Sequence, residues 1–420
     1  MATWAVLRLY NQSLALVEEL RVPIAPLPGP NPVLQLQACK WLNDSVNMGI
    51  TERIGHLALW VADRFNAFDG VPLCYPLDLT GDGTNTDWAK AASAPTATDA
   101  VYTDLPRPPD TATPLYAHTS ISGRNQEAIV ESATAAGIPA SGANSVLLGV
   151  RLNGVHDPQS TTKQNFNVTM LDGTNGVGFS TISPGHTNNS RIVFNGTCPF
   201  VEKKPGTLVR YVRSDLDGAN AAIRLNQTGD TESRVYSVWA EALTCDAILG
   251  RITVLACLLG GAEAIAGGTL IAGVDPKTGT PGADLTTGTG DADFPGGGTY
   301  IEANRNKASP DVDIMLDNNG AFGAGLGGKL DLAHGNPRAG ISMAYKPSGL
   351  PNLIAKLMEV RLTNDASGGS NTISVKHDHD GKLQLFDGAT SKGTMTNSLS
   401  TTDVNYIIME VGQWWAGALS

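Results

Sequence analysis

A chain of 420 residues with a formal net charge of −11 is long enough for two or three domains. Its acidic balance, with no Lys/Arg run longer than Lys203-Lys204, argues against a nucleic-acid partner, because phosphate binding needs a basic patch. Charged residues make up 16% of the chain and 47 residues are glycine. The charge fraction is well below the usual ~25%. Such a composition fits a loop-rich all-β protein with a polar, sparsely ionic surface, and fits poorly with a cytosolic metabolic enzyme.

The first 21 residues read as an amphipathic helix, with Trp4, Leu7, Leu14, Val17 and Arg21 at spacings of three, four and seven. A strand beginning at Trp4 is the competing reading. The start, MATWAVLRLYNQ, lacks the basic region, apolar core and cleavage site of a signal peptide. The run VPIAPLPGPNP (22–32) is an extended connector, since proline neither continues a helix nor pairs inside a sheet. Residues 1–63 are therefore expected to be an N-terminal arm and connector, apart from a buried strand beginning in LALWVADRF (57–65).

Loop signals dominate residues 71–144. In DLTGDGTNTDW, Asp78, Asp82 and Asp87 open like a calcium loop, with Gly83 at the sharp turn. The twelfth position is Ala89 where a bidentate acid belongs, so a Ca2+ site stands against a polar surface turn. Asn125–Ala135 reads as a short helix, or as a strand followed by a loop.

From Ser145 to Leu243 five segments end in turn signals: SVLLGVRLNGVHDP, KQNFNVTMLDG, TLVRYVRSD, AAIRLNQTG and SRVYSVWAEAL. Apolar and polar residues alternate in most of them, which places one face in a core and the other in water. Together with the flanking segments they predict an antiparallel, jelly-roll-like β-sandwich over 64–246. Residues 247–298 form an apolar segment and a Gly/Thr-rich linker, with the domain boundary placed in Asp275–Gly298. Arg251 and Glu263 interrupt the apolar part, leaving 11 uncharged residues between them. A membrane span needs about 20.

Residues 299–420 predict a second, smaller β-sandwich built from AGISMAY, LIAKLMEVRLT, TISVKHD, KLQLFDG and NYIIMEVGQWW. The run HDHDG (377–381) reads as a solvated hairpin tip with an Asp-Gly turn, or as two histidines on one strand face able to seat a metal. Trp414 and Trp415 are candidates for a glycan-stacking platform or an interface. Only one of two adjacent strand residues can face a given ligand. Glu241, Glu359 and Glu410 read as solvent-facing strand positions or as members of an inter-subunit pair. The five cysteines (Cys39, Cys74, Cys198, Cys245, Cys257) lack C-x-x-C spacing and read as mostly buried free thiols, a Cys198–Cys245 bridge being the alternative. No Gly-x-Ser-x-Gly elbow or credible Ser/His/Asp spacing is present, so no enzyme is expected.

The stretch TATDAVYTDLPRPPDTATPLYAHTSISGRNQEAIVE followed by NSVLLGVRLNGVHDPQSTTKQNFNVTMLDGTN resembles a jelly-roll structural protein of tailed bacteriophages, over residues 64–245. ISVKHDHDGKLQLFDG with DVNYIIMEVGQWW resembles concanavalin- or laminin-G-like sandwiches. Those domains continue with further strands, which the N-terminal segment or another subunit would supply here. The resemblance implies a virion component (decoration, fibre or tail protein) that assembles with copies of itself and other virion proteins. A carbohydrate-binding adhesin for host-surface glycans is the alternative.

Overall fold

The computed structural model describes residues 2–26, 32–38, 47–90, 116–158, 166–173, 178–182, 192–193, 209–229, 232–250, 252–258, 265–266, 269–270, 285–288, 290–294, 298, 300–307, 314–317, 338–364 and 370–414. The protein is all-β: antiparallel sheets carry nearly all of its regular structure, and the one described α-helix is the single turn Ser214–Asp217. The chain divides into two units. One is Leu73–Asp246; the other joins Met1–Pro72 to Ala247–Ser420. The boundaries thus fall at Pro72 and at Asp246, the expected end of the first sandwich, and not in 275–298.

The larger unit is a two-sheet sandwich. Its long sheet runs in the order Leu16–Ile24, Ala2–Tyr10, Asn405–Trp414, Arg338–Pro347, Thr51–Ala62, Tyr300–Asn304, Leu285–Gly288, with Ile252–Leu258 also on Thr51–Ala62. Its short sheet runs Ile314–Asp317, Pro32–Ala38, Ala355–Asn364, Ser370–His377, Lys382–Asp387, Thr390–Ser398. Leu7, Leu9, Ile341, Met343, Ile407 and Met409 of the long sheet form one core with Val360, Ile373, Val375 and Leu385 of the short sheet.

The residues expected to be an arm are therefore integral strands. Ala2–Tyr10 pairs with Leu16–Ile24 on one side and with Asn405–Trp414 on the other. Both of its faces are buried, Ala5, Leu7 and Leu9 on one and Val6, Arg8 and Tyr10 on the other. A strand buried on both sides shows no period of two, and so the chance helical spacing misleads. Asn11 makes the turn that ends it, accepting from Leu14 N and from Ala15 N. This hairpin completes the C-terminal sandwich, which is the larger of the two and not the smaller.

Other elements depart from expectation for identifiable reasons. The linker region contains Leu285–Gly288, paired to Tyr300–Asn304. Phe294 is buried beside Tyr300, and Asp291 is held by Arg53 and Lys346. The apolar segment contributes Ile252–Leu258, paired with Thr51–Ala62, and no described helix is long and apolar enough to cross a membrane. Residues 209–217, the end of TLVRYVRSD and the two residues after it, form a loop and the single helical turn, while Asn125–Val130 takes the second of its two readings and is a strand.

The sandwich edge is closed by Glu18. Its carboxylate accepts from Thr396 N and Oγ1 and from Asn397 N and Nδ2, at 2.8–2.9 Å, and so ties Leu16–Ile24 to Thr390–Ser398. Partial burial opposes ionisation, but these four donors outweigh it and hold the carboxyl down at about 2. A depressed folded pKa contributes stability above the ordinary carboxylate value and loses it as pH falls towards 2. Glu18→Gln is expected to cost about 1 kcal/mol at neutral pH, allowing for screening at this part-exposed site. The deficit should vanish near pH 2 in urea-unfolding titrations; a pH-independent deficit would exclude this account.

The inserted unit also has two sheets. Five strands run Gly178–Ile182, Phe166–Leu171, Ala222–Gln227, Asn125–Val130, Leu79–Thr86. Six more comprise Ile192–Val193, Val146–Pro158, Ser233–Cys245, Ala117–Thr119 and Ala89–Lys90 in order, with Leu73–Leu77 also on Ser233–Cys245. Cys74 and Cys245 are free and buried. Cys39 and Cys198 lie outside the described residues, so the Cys198–Cys245 alternative does too.

Candidate functional site

One face of the five-stranded sheet is apolar and buried, carrying Val168, Met170, Ile223 and Leu225. Alternation sends the intervening residues to the opposite face in three cross-strand rows. Asn167, Asn226 and Asn125 form one row; Thr169, Arg224 and Glu127 the next; Leu171, Ala222 and Ile129 the third. Arg224 and Glu127 of the second row and the whole third row, with Asp82–Asn85 of the edge strand and the Ala219–Asn220 turn, line a cleft of about 540 Å³.

Glu127 organises this cleft. Its Oε1 accepts from Arg224 Nε at 2.8 Å and from Asn85 Nδ2 at 2.7 Å, and pairs with Arg224 Nη2 at 2.6 Å. Its Oε2 accepts from Thr84 N and Asn85 N. Burial alone would raise its pKa, but the bonds from Asn85 and Arg224 hold it below the usual carboxylate range. A Cβ at Gly83 would lie 2.6 Å from the Glu127 Cβ, so glycine there admits the carboxylate beneath the edge strand.

The stretch DLTGDGTNTDW is thus an edge strand rather than a calcium loop or a surface turn. Gly81 and Gly83 are not among the positive-φ glycines. Gly83 makes room for Glu127. Asp82 lines the cleft and accepts from Gln126 Nε2 at 3.2 Å. Asp87 pairs with Arg124 at 3.3 Å and accepts from Asn125 N. Asp78 donates its N–H to Glu131. Among the described residues, no three His, Cys, Asp or Glu side chains cluster to hold a metal ion.

Trp414 is the last residue of Asn405–Trp414, its backbone opposite Ala2; its side chain and the whole of Trp415 lie outside the described residues. The HDHD run divides. His377 is buried, 3.2 Å from the Tyr345 hydroxyl, and burial pushes its pKa down to about 4. Asp378 closes the turn by accepting from Asp380 N, Lys382 N and Gln384 Nε2. His379 and Asp380 are exposed. Only the tip is solvated.

The strand glutamates are likewise buried instead of solvent-facing. Glu241 accepts from Trp239 Nε1 at 3.2 Å, Glu359 pairs with Lys356 at 2.6 Å, and Glu410 pairs with Arg8 at 2.8 Å. Each is neutralised or hydrogen-bonded within its own unit, as buried carboxylates must be.

Sequence reading named Asp82 but missed Glu127 and Arg224. Alternation in AAIRLNQ points Arg224 outward, whereas its partner lies in a stretch that reads either as a helix or as a strand followed by a loop. The chain matches no protein-family model, no curated protein and no solved structure.

Proposed function

We propose that the chain is a structural, non-catalytic component of a virion that assembles with copies of itself and with other virion proteins. The observation that carries the reading is a cluster of large apolar side chains in water. Leu350, Leu353 and Ile354 are 43–49% exposed within the seven-residue connection between Arg338–Pro347 and Ala355–Asn364. Desolvating such a cluster favours association at about 25 cal/mol per Å² of apolar surface removed from water. The resemblance of residues 64–245 to phage jelly-roll proteins supplies the virion context.

Sedimentation velocity of the full chain tests this. Wild type is expected to form a discrete oligomer, and Leu353→Asp with Ile354→Asp to shift it towards monomer without loss of β-sheet signal. A wild-type chain that stays monomeric at high concentration would overturn the proposal. A second reading, carbohydrate binding by such a component, is favoured by the mixed polar lining of the cleft.

A further inference from the structure

We propose that the cleft over Glu127 and Arg224 is a binding site for a neutral, polyhydroxylated ligand, a sugar residue of a glycan. This rests on the second reading above and is independent of assembly. Its volume, about 540 Å³, lies within the range of small-ligand sites.

The lining decides the ligand class. The Arg224 fork is fixed by two contacts to Glu127, through Nε and Nη2. Nη1 makes no bond to any described residue, which leaves a rigid donor at the cleft floor. The Thr84 hydroxyl and the Asn220 amide lie on the same lining and each offers both a donor and an acceptor. Asn85 is held by its Nδ2 bond to Glu127, so its Oδ1 is a placed acceptor. A hydroxyl group donates and accepts at once and satisfies such a mixture. A phosphate is mainly an acceptor and carries negative charge, and an ammonium only donates.

Charge points the same way. Asp82 and Glu127 outnumber Arg224 on the lining, so an anion meets net repulsion. A cation would meet the fixed Arg224 guanidinium at the floor. Ile129 supplies a small apolar wall suited to the C–H face of a sugar ring. Glu127 is a positioning residue: its oxygens are occupied by Thr84, Asn85 and Arg224, and it acts by holding them.

Titration calorimetry of the full chain with glucose, galactose, mannose and N-acetylglucosamine is the test, with inorganic phosphate and spermidine as contrasts. At least one sugar is expected to bind saturably, and Arg224→Ala to weaken it by about tenfold or more. Arg224→Ala unpairs Glu127 and endangers folding. Thr84→Val and Asn220→Ala leave that pair intact and should each weaken binding several-fold. Sugar binding unaffected by all three variants would place the glycan elsewhere, overturning this site while leaving the second reading standing. No saturable sugar binding would overturn both. Tight phosphate or spermidine binding lost in Arg224→Ala would keep the cleft but overturn the ligand class.

Discussion

Replacing Arg305 with methionine is expected to lower the stability of the larger unit by about 3–5 kcal/mol, the usual cost of leaving one member of a buried ion pair alone. Arg305 and Glu52 are both wholly buried, with Nη1 to Oε2 at 2.9 Å. The other carboxylate oxygen accepts from the Tyr345 hydroxyl at 2.8 Å, which also lies against His377 Nδ1. Glu52 and Tyr345 belong to the long sheet and His377 to the short one, so the network pins the sheets across the core.

Without Arg305, the wholly buried Glu52 carboxylate loses its ion-pair partner and keeps the Tyr345 hydroxyl bond, too little to offset the burial of its charge. Removing both charges with Arg305→Met and Glu52→Leu should recover most of the loss. Chemical unfolding of the wild type, the single variant and the double variant measures both effects. A double variant as unstable as the single one would rule out a charge-burial origin.

Trp60→Ala is expected to cost a similar ~3–5 kcal/mol, here through a cavity. Trp60 is buried on Thr51–Ala62, with its ring centroid 5.0 Å from that of Phe68 in an edge arrangement. It sits directly opposite Gly340 on the neighbouring strand. A Cβ at position 340 would fall 2.2 Å from the indole Cε2, so glycine is what lets the ring lie flat on the sheet. Gly340→Ala should be strongly destabilising in the wild type and far milder in Trp60→Ala, since the clash partner is gone. A thermodynamic cycle over the four proteins reads that coupling directly; additive effects would contradict the packing argument.

How much of this was readable from sequence depends on how many faces each strand buries. Val146–Pro158, Ala222–Gln227 and Ser233–Cys245 stood out because turn signals bound them and polar residues alternate with apolar ones. Ala2–Tyr10 did not, because Arg8 is as buried as Leu7. Its charge is met by Glu410 and Glu19, partners 402 and 11 residues away, and no local pattern announces a pairing across nearly the whole chain. Long-range pairing also explains the misplaced boundary. A stretch as glycine-rich as 275–298 looks like a linker until Asp291 and Phe294 find partners on other strands. At the cleft, Asp82 was noticed for its spacing to other acids. Its environment comes instead from Glu127 and Arg224, which become neighbours only when two distant strands pair in register.

The division of the chain also sets an order of events during synthesis. The inserted unit begins and ends on adjacent strands, Leu73 lying opposite Thr244, so all of its pairing partners have left the ribosome once Asp246 has emerged. The larger unit cannot do the same. Asn405–Trp414 lies between Ala2–Tyr10 and Arg338–Pro347, and the first hairpin has no second neighbour until that strand arrives. The opening residues must wait, unpaired on one side, through the translation of almost everything else. At ~5–20 residues per second that interval is tens of seconds.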